Sequence, residues 1–382
     1  MKLLLTLLGS VILVQCMRAQ SVGEEFYFSL PDTDLEVQTS NAQDFRVQIV
    51  VSGLEVPWGV AFLPDGTVLI TERPGRLRLV RNGELLPDPV GGVPEVFARG
   101  QGGLLDVAIH PDYEENGWIY LAYSKPGDGG GNTAVTRGKL EGNRFVDQEE
   151  IFWGEPRTGA GQHFGSRIVF RDGYIYFSIG DRGSMQNGQD LSNHNATVIR
   201  LHDDGRVPED NPFVDDPDAK PEIFAYGLRN IQGMTIHPGT GEIWSAMHGA
   251  RGGDEINIIR SGLNYGWPSI THGVNYDGSP ITPDTARTGM EQPFLHWTPS
   301  IAPNGIDFVW GDRYEGWRGD LMVATLRPQY LHRVNLDGNR LVDQEELLQG
   351  FGRMRDVEMA PDGFLYVTVE SGGRLIRLLP VH

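Results

Sequence analysis

FLPDGTVLITE, Phe62 to Glu72, sets a Pro-Asp-Gly turn between an apolar stub and a run of β-branched residues. Asp and Gly supply the side-chain oxygen and the free φ that a tight turn needs, and Val, Ile and Thr favour the pleated chain that follows. The same design recurs in IHPDYEENGWIYLAYS (Ile109–Ser124), FRDGYIYFSIGD (Phe170–Asp181) and IHPGTGEIWSAMH (Ile236–His248). VWGDRYEGWRGDLMVATL (Val309–Leu326) and MAPDGFLYVTVES (Met359–Ser371) complete a set of six. After each comes a second β-rich run: GRLRLV at Gly75, TAVTRGKL at Thr133, ATVIRL at Ala196, DEINII at Asp254, LHRVNL at Leu331 and GRLIRL at Gly373. Two copies share a tail, GNRFVDQEEIF from Gly142 and GNRLVDQEELL from Gly338.

Repeats of roughly 60 residues suit a four-stranded blade with a long loop. The expected fold is all-β, a six-bladed β-propeller of four-stranded antiparallel blades over residues 44–382. FRVQIVV, Phe45–Val51, precedes the first repeat and is expected to supply the outer strand of the last blade. The rival fold, a β-sandwich with chance turns, does not account for six copies in order. Long loops are expected at 125–132, 153–165, 182–195, 203–222 and 267–304, gathered on one face around the channel.

The chain has 382 residues, with 50 glycines and 24 prolines, which fits many turns; without a Gly-X-Y period it is not collagen. At 39% hydrophobic it can bury a core. Its 51 acidic against 32 basic residues repel phosphate backbones, so nucleic acid is not an expected partner. Lys2, the apolar run Leu3–Val14 and the small residue Ala19 describe a secretory signal over residues 1–19, too short to span a bilayer. Residues 20–43 are a polar lead-in. The expected location is periplasmic or secreted, with no transmembrane segment after signal removal; a lipid anchor at Cys16 is the lesser alternative, because Gln15 is bulky. The single cysteine leaves core, ring closure and metal to replace disulfides.

Polar residues recur beside the inner strands. Gln101 lies in GQGGLLDVAIHP, His163 in GQHFGSRIVF, Arg229 and Asn230 in AYGLRNIQGMTIHP, Arg327 in VATLRPQYL, and Arg353 and Arg355 in GFGRMRDVEMAP. A propeller brings them to the channel mouth, where four arginines in an acidic chain make a positive well for a small polyanion. In the segment His248–Trp267, glycines free backbone carbonyls and Asp254 and Glu255 add hard oxygens, the ligand type of calcium; the bland alternative is a solvated loop. DDGRVPEDNPFVDDPDAK lacks EF-hand spacing and reads as solvated. His110 and His237 occupy one place in their turns and read as structural. Asn195-Ala196-Thr197 is a weak glycosylation match. There is no dinucleotide fingerprint after a strand, P-loop, HExxH or GxSxG.

GLEVPWGVAFLPDG, GQGGLLDVAIHPDY, HFGSRIVF, GLRNIQG, GDEINII with NYGWP, HWTPSIAPNG and RMRDV stand in an order that resembles the soluble quinoprotein glucose dehydrogenase family, on the side of its aldose sugar dehydrogenase branch. The resemblance runs from about residue 45 to 378. It implies a propeller that binds pyrroloquinoline quinone (PQQ) and calcium and oxidises aldoses at the anomeric carbon to lactones. His163 matches the general base, with hydride passing to the quinone. Gln101, Arg229, Asn230, Arg353 and Arg355 match cofactor contacts; Arg327 falls where some members have lysine, and Tyr276 resembles an aromatic contact. Gly249 and Ala250 match the carbonyl ligands of the catalytic calcium, Glu255 and Tyr265 a second, structural calcium site, and Trp297 a tryptophan flanking the substrate. Gln162 stands where the glucose enzyme has aspartate, which puts in question the carboxylate that orients the base; Gln186 is a weak match to a loop glutamine. Expected partners are an aldose and an external electron acceptor (quinone, cytochrome or dye), the protein being a monomer or homodimer. The alternatives are a calcium-dependent lactonase and a non-catalytic carbohydrate-binding propeller.

Overall fold

The computed structural model describes residues 36–381. Six four-stranded antiparallel units follow one another in chain order, one per repeat. Their inner strands are Pro57–Phe62, Leu104–Ile109, Ile168–Arg171, Ile231–Ile236, Pro303–Phe308 and Met354–Met359, and each neighbours the next in a closed ring. The fold is a six-bladed β-propeller, with blades I to VI numbered in that order. Phe45–Val51 pairs antiparallel with Arg374–Pro380 and becomes the fourth strand of blade VI, extended by the two-residue strand Val37–Gln38. The first and last described segments thus close the ring, which leaves no open end between blades.

Each Pro-Asp-Gly turn joins a first strand to a second. In blade I the Gly66 N–H donates to Leu63 O at 3.0 Å and the Thr67 N–H to Asp65 Oδ1 at 2.8 Å, with Gly66 at φ +83°. His110 and His237 serve the equivalent turns of blades II and IV, where Nδ1 accepts the N–H of Asp112 and of Gly239, each at 3.0 Å. Second strands are buried on both faces. In Ile243–Met247, Ile243 and Met247 pack toward blade III, while Trp244 and Ala246 pack toward blade V. The apolar core is therefore a set of layers between blades, and each large side chain fully buried there contributes about 1.5–3 kcal/mol.

The axis is closed by one side chain. Arg167, just ahead of the blade III inner strand, places Nη1 3.0 Å from Asp106 of blade II and 2.9 Å from Asp356 of blade VI. Its Nε donates to Gln232 O of blade IV at 3.1 Å, and the guanidinium lies 4.4 Å from the Trp58 ring of blade I. Five blades meet on this cation. Inner-strand glycines make the approach possible: a Cβ at Gly59 would stand 2.7 Å from Asp106 Oδ1.

Three expectations change. Residues 125–132 are no loop: the ladder between Ile119–Gly127 and Gly130–Glu141 runs out to Gly127 opposite Gly130, because Asp128-Gly129 makes a two-residue hairpin turn. Residues 203–222 join the third and fourth strands of blade III, so they lie at the opposite edge from 182–195. Asn195 is fully buried, with Oδ1 accepting from Asn132 Nδ2, and cannot carry a glycan.

Candidate active site

The start of an inner strand and the end of the second strand lie at one edge of a blade, because the two run antiparallel. Gln101, His163, Arg229, Asn230 and Arg353 directly precede or lie near inner-strand starts; Gly249, Ala250 and Arg327 follow second-strand ends. Topology alone thus collects them on one face. Tyr276 arrives differently. Its segment leaves the far edge of blade IV, climbs back, and is pinned where Arg251 and Val274 exchange backbone hydrogen bonds of 3.0 and 3.1 Å.

His163 is 8% exposed and sits at φ +57°, a backbone conformation that a non-glycine residue holds only where its surroundings impose it. Its N–H donates to Gln101 Oε1 at 2.8 Å. Its Nδ1 lies 2.6 Å from Oδ1 of Asp181, a residue 1% exposed at the end of the second strand of the same blade. A carboxylate only accepts, so Nδ1 carries the proton and Nε2 is left as the basic atom. Asp181 is held in turn by the Gly183 N–H at 2.7 Å on Oδ1 and the Trp267 indole N–H at 2.9 Å on Oδ2. Burial pushes the His163 pKa down; the Asp181 hydrogen bond opposes this, and the Arg229 and Arg182 charges add to it, with a net lowering. Burial alone would raise Asp181, but the His163 hydrogen bond and charge, with Arg229, outweigh it and leave the carboxyl below its usual range. A second imidazole, His248, bonds Pro303 O at 2.7 Å and has no carboxylate partner among the described residues; burial and Arg229 hold it neutral.

A cavity of about 470 Å³ is bordered by His248, Gly249, Ala250, Tyr276, Ser300 and Arg327; His163 and Asp181 are not among its lining residues. Arg229 is 4% exposed, yet among the described residues its guanidinium makes no ion pair with a carboxylate: Nη1 donates to the carbonyls of His248 (3.2 Å) and Gly249, and Nη2 to the Tyr276 hydroxyl at 3.5 Å. Its Nε and the Asn230 Nδ2 are buried with no partner among the described residues. Arg353 and Arg355 share one carboxylate, Glu370, at 3.2 and 3.0 Å. Burial lowers Arg355 to about 10, against the pull of Glu370, and the Arg353 and Arg73 charges add to the lowering. Orphaned donors and cations in excess of their carboxylate fit a ligand with several carboxylates.

The Asp254 carboxylate, which also borders the cavity, shapes the carbonyl turn. Oδ1 accepts the Gly249 N–H at 2.8 Å and the Ser300 hydroxyl at 3.2 Å, and Oδ2 accepts the Ala302 N–H at 2.7 Å. Among the described residues no group of three or more His, Cys, Asp or Glu side chains is arranged to hold a metal. The donor set at Gly249 and Ala250 is therefore backbone carbonyls, hard oxygens that suit calcium when a ligand completes the shell.

Glu255 is buried with Oε2 on Asn257 at 3.0 Å, and burial pushes its pKa up to about 7. The Tyr265 hydroxyl donates to Ile258 O at 2.6 Å and accepts the Arg260 N–H at 2.8 Å, so it is already spent. Trp297 does not reach the cavity. It is packed between blades IV and V with Trp244 and Phe308, and its indole donates to Gln344 at 2.8 Å. Ser300, three residues on, borders the cavity instead. Gln162 and Gln186 have exposed side chains. Asp181, Trp267 and Ser300 were missed. For Asp181 a signal existed: it ends the second strand of its repeat, the place taken by Glu72 in blade I and Glu370 in blade VI.

The sequence profile described as Glucose / Sorbosone dehydrogenase matches residues 54–377. The chain belongs to this family. Aldose sugar dehydrogenase YliI of Escherichia coli is 40% identical over 344 residues, 88% of this chain and 93% of that protein. The structure of the soluble aldose sugar dehydrogenase from Escherichia coli in the apo-form covers 88% of this chain and 100% of its own, at 38% identity and TM-score 0.86. The PQQ-bound aldose sugar dehydrogenase from Streptomyces coelicolor covers 88% and 98%, at 27% identity and TM-score 0.73. The resemblance carried by the motifs agrees with membership of this family.

Proposed function

We propose that this chain is a PQQ- and calcium-dependent dehydrogenase that oxidises aldoses at the anomeric carbon to lactones. The observation that carries the reading is the buried His163–Asp181 pair beside the unpartnered Arg229 Nε. Arg229, Asn230, Arg327, Arg353 and Arg355 would hold the carboxylates of PQQ, with Gln101 and Tyr276 at its edges, and the carbonyls of Gly249 and Ala250 would hold calcium. When bound, the quinone supplies the hydride acceptor and calcium the Lewis acid beside it. His163 Nε2 takes the proton of the anomeric hydroxyl, while Asp181 keeps Nδ1–H in place and stabilises the imidazolium that results. Gln101 fixes the His163 backbone from the neighbouring blade. For a structural calcium, Glu255 and Tyr265 would be the ligands that the resemblance implies, the Glu255 carboxylate having to give up its proton to bind the ion. Electrons leave to an external acceptor, in the periplasm or outside the cell; the signal at residues 1–19 and Cys16 lie outside the described residues.

The test is reconstitution with PQQ and calcium, followed by dye reduction with a panel of aldoses. A PQQ-dependent absorbance change with turnover on at least one aldose, abolished in His163→Ala, is the expected result. Absence of turnover on every aldose, or full activity in His163→Ala, overturns the reading.

A further inference from the structure

We infer that Trp267 is a positioning residue of the base: its indole N–H fixes the Asp181 carboxylate and through it the orientation and tautomer of His163. This rests on the reading of His163 as the base. Trp267 is 3% exposed and belongs to blade IV, whereas Asp181 and His163 belong to blade III, so the contact crosses a blade boundary. Asp181 Oδ1 takes the His163 ring and the Gly183 N–H; Oδ2 takes the indole alone among the described residues, at 2.9 Å. Without that donor, Oδ2 is buried and unsatisfied, a state that costs about 1–3 kcal/mol and that rotation of the carboxylate would relieve. Rotation would carry the imidazole with it.

The backbone that carries the indole is itself held on both sides. The Trp267 backbone N–H donates to Gly227 O at 2.9 Å, and the Trp267 carbonyl accepts from Gln189 Nε2 at 2.8 Å. Gln189 and Asn264 exchange side-chain amide bonds of 3.0 and 2.8 Å, which clamps the loop after Asp181 to the segment carrying Trp267. A Cβ at Gly188 would stand 2.2 Å from Trp267 O, so the fit there excludes any larger residue. The same ring lies 5.4 Å from Arg229 Cζ, within cation–π range. One side chain therefore touches both the carboxylate that orients the base and the guanidinium assigned to the anion.

The charged and titratable groups around His163 are Asp181 and Arg182 from the following turn, Arg229 from the entry to blade IV, and the imidazole of His248. Removing a donor from Asp181 concentrates its negative charge on the imidazole and raises the pH at which His163 titrates. Trp267→Phe keeps a ring near Arg229 and deletes only the N–H; Trp267→His can restore a ring donor. In the apoprotein, the His163 ring followed by NMR is expected to titrate at higher pH in Trp267→Phe and to return toward wild type in Trp267→His. In the reconstituted enzyme, the acid limb of kcat should move up with it, and kcat should fall by about 10- to 100-fold at unchanged KM and PQQ affinity.

Unchanged His163 titration in a folded Trp267→Phe protein overturns the inference, as does a loss confined to melting temperature or PQQ affinity. Should Trp267→Phe not fold, the indole N–H signal decides: slow hydrogen exchange in wild type that is lost in Asp181→Asn supports the contact, and fast exchange in wild type overturns it. A wild-type protein that binds PQQ and oxidises no aldose sinks the proposed function, while the NMR titration still reports on the Trp267–Asp181–His163 coupling.

Discussion

His163 Nδ1 stands 2.6 Å from Asp181 Oδ1, and the two reach each other from one blade: His163 from the turn ahead of its inner strand, Asp181 from the end of the strand paired with it. Asp181→Asn would present an amide whose N–H₂ can reverse the tautomer and protonate the wrong nitrogen. We expect kcat to fall by at least about 10²-fold with KM little changed, a smaller loss than the 10⁴-fold known for the same exchange in a serine-protease triad. Steady-state kinetics on the reconstituted variant checks it; an unchanged kcat counts against the orienting role.

His163 works as a base only when neutral. Its folded pKa is lowered, by burial first and by Arg229 and Arg182 next, so the acid limb of kcat/KM is expected below the ordinary histidine value of about 6.5. The sign for stability follows from the same shift. A lowered value means that the fold disfavours the cation, so stability declines as pH falls below the unfolded pKa. A limb at or above pH 7 would contradict both statements.

The ring was legible because its punctuation is local: six turns, each read from a few consecutive residues, announce six blades. The His163–Asp181 pair was not, because it joins residues 18 apart through strand pairing that no local pattern encodes. Trp297 and Ser300 show the same limit in another form. In HWTPSIAPNG a shift of three positions separates a residue packed between blades from one at the cavity, and only the path of the chain distinguishes them. Lys125–Asn132 misled for a different reason: its glycines read as slack, where the ladder uses them to turn within two residues.

Arg229 is buried with Nε unpartnered among the described residues and with carbonyls where a carboxylate would be expected. Arg229→Gln keeps hydrogen-bonding capacity and removes the charge. A charge-assisted hydrogen bond is worth about 1.5–3 kcal/mol, so PQQ affinity should weaken by about 10- to 100-fold, read by absorbance titration at fixed calcium. Affinity equal to wild type would remove Arg229 from the anion clamp.

Arg167 ties Asp106 and Asp356 across the axis. Burial raises both carboxyls, and Arg167 is the main opposing charge. Arg167→Met leaves two buried acids without a cation and is expected to cost about 3–5 kcal/mol in urea unfolding at neutral pH. Because the folded pKa values lie above the unfolded ones, the variant gains from protonation at low pH and loses that gain as pH rises. Its deficit should therefore be larger at pH 8 than at pH 5, and a deficit independent of pH would show that the axis does not depend on this charge balance.

Closure depends on a strand far from its partners in sequence. Phe45 is 1% exposed, lies 5.2 Å from Trp317 of blade V in an edge-to-face contact, and opens the strand that completes blade VI. Phe45→Ala should lose about 3–5 kcal/mol through the cavity it leaves. The consequence is wider than one blade, because an incomplete blade VI exposes an unpaired edge beside blade I. Hydrogen exchange should then rise first in Arg374–Pro380, the strand that pairs with Phe45–Val51, and spread to Met354–Met359 at the axis. Loss of protection scattered evenly over all six blades would mean that Phe45 acts on the core at large and not on the closing strand.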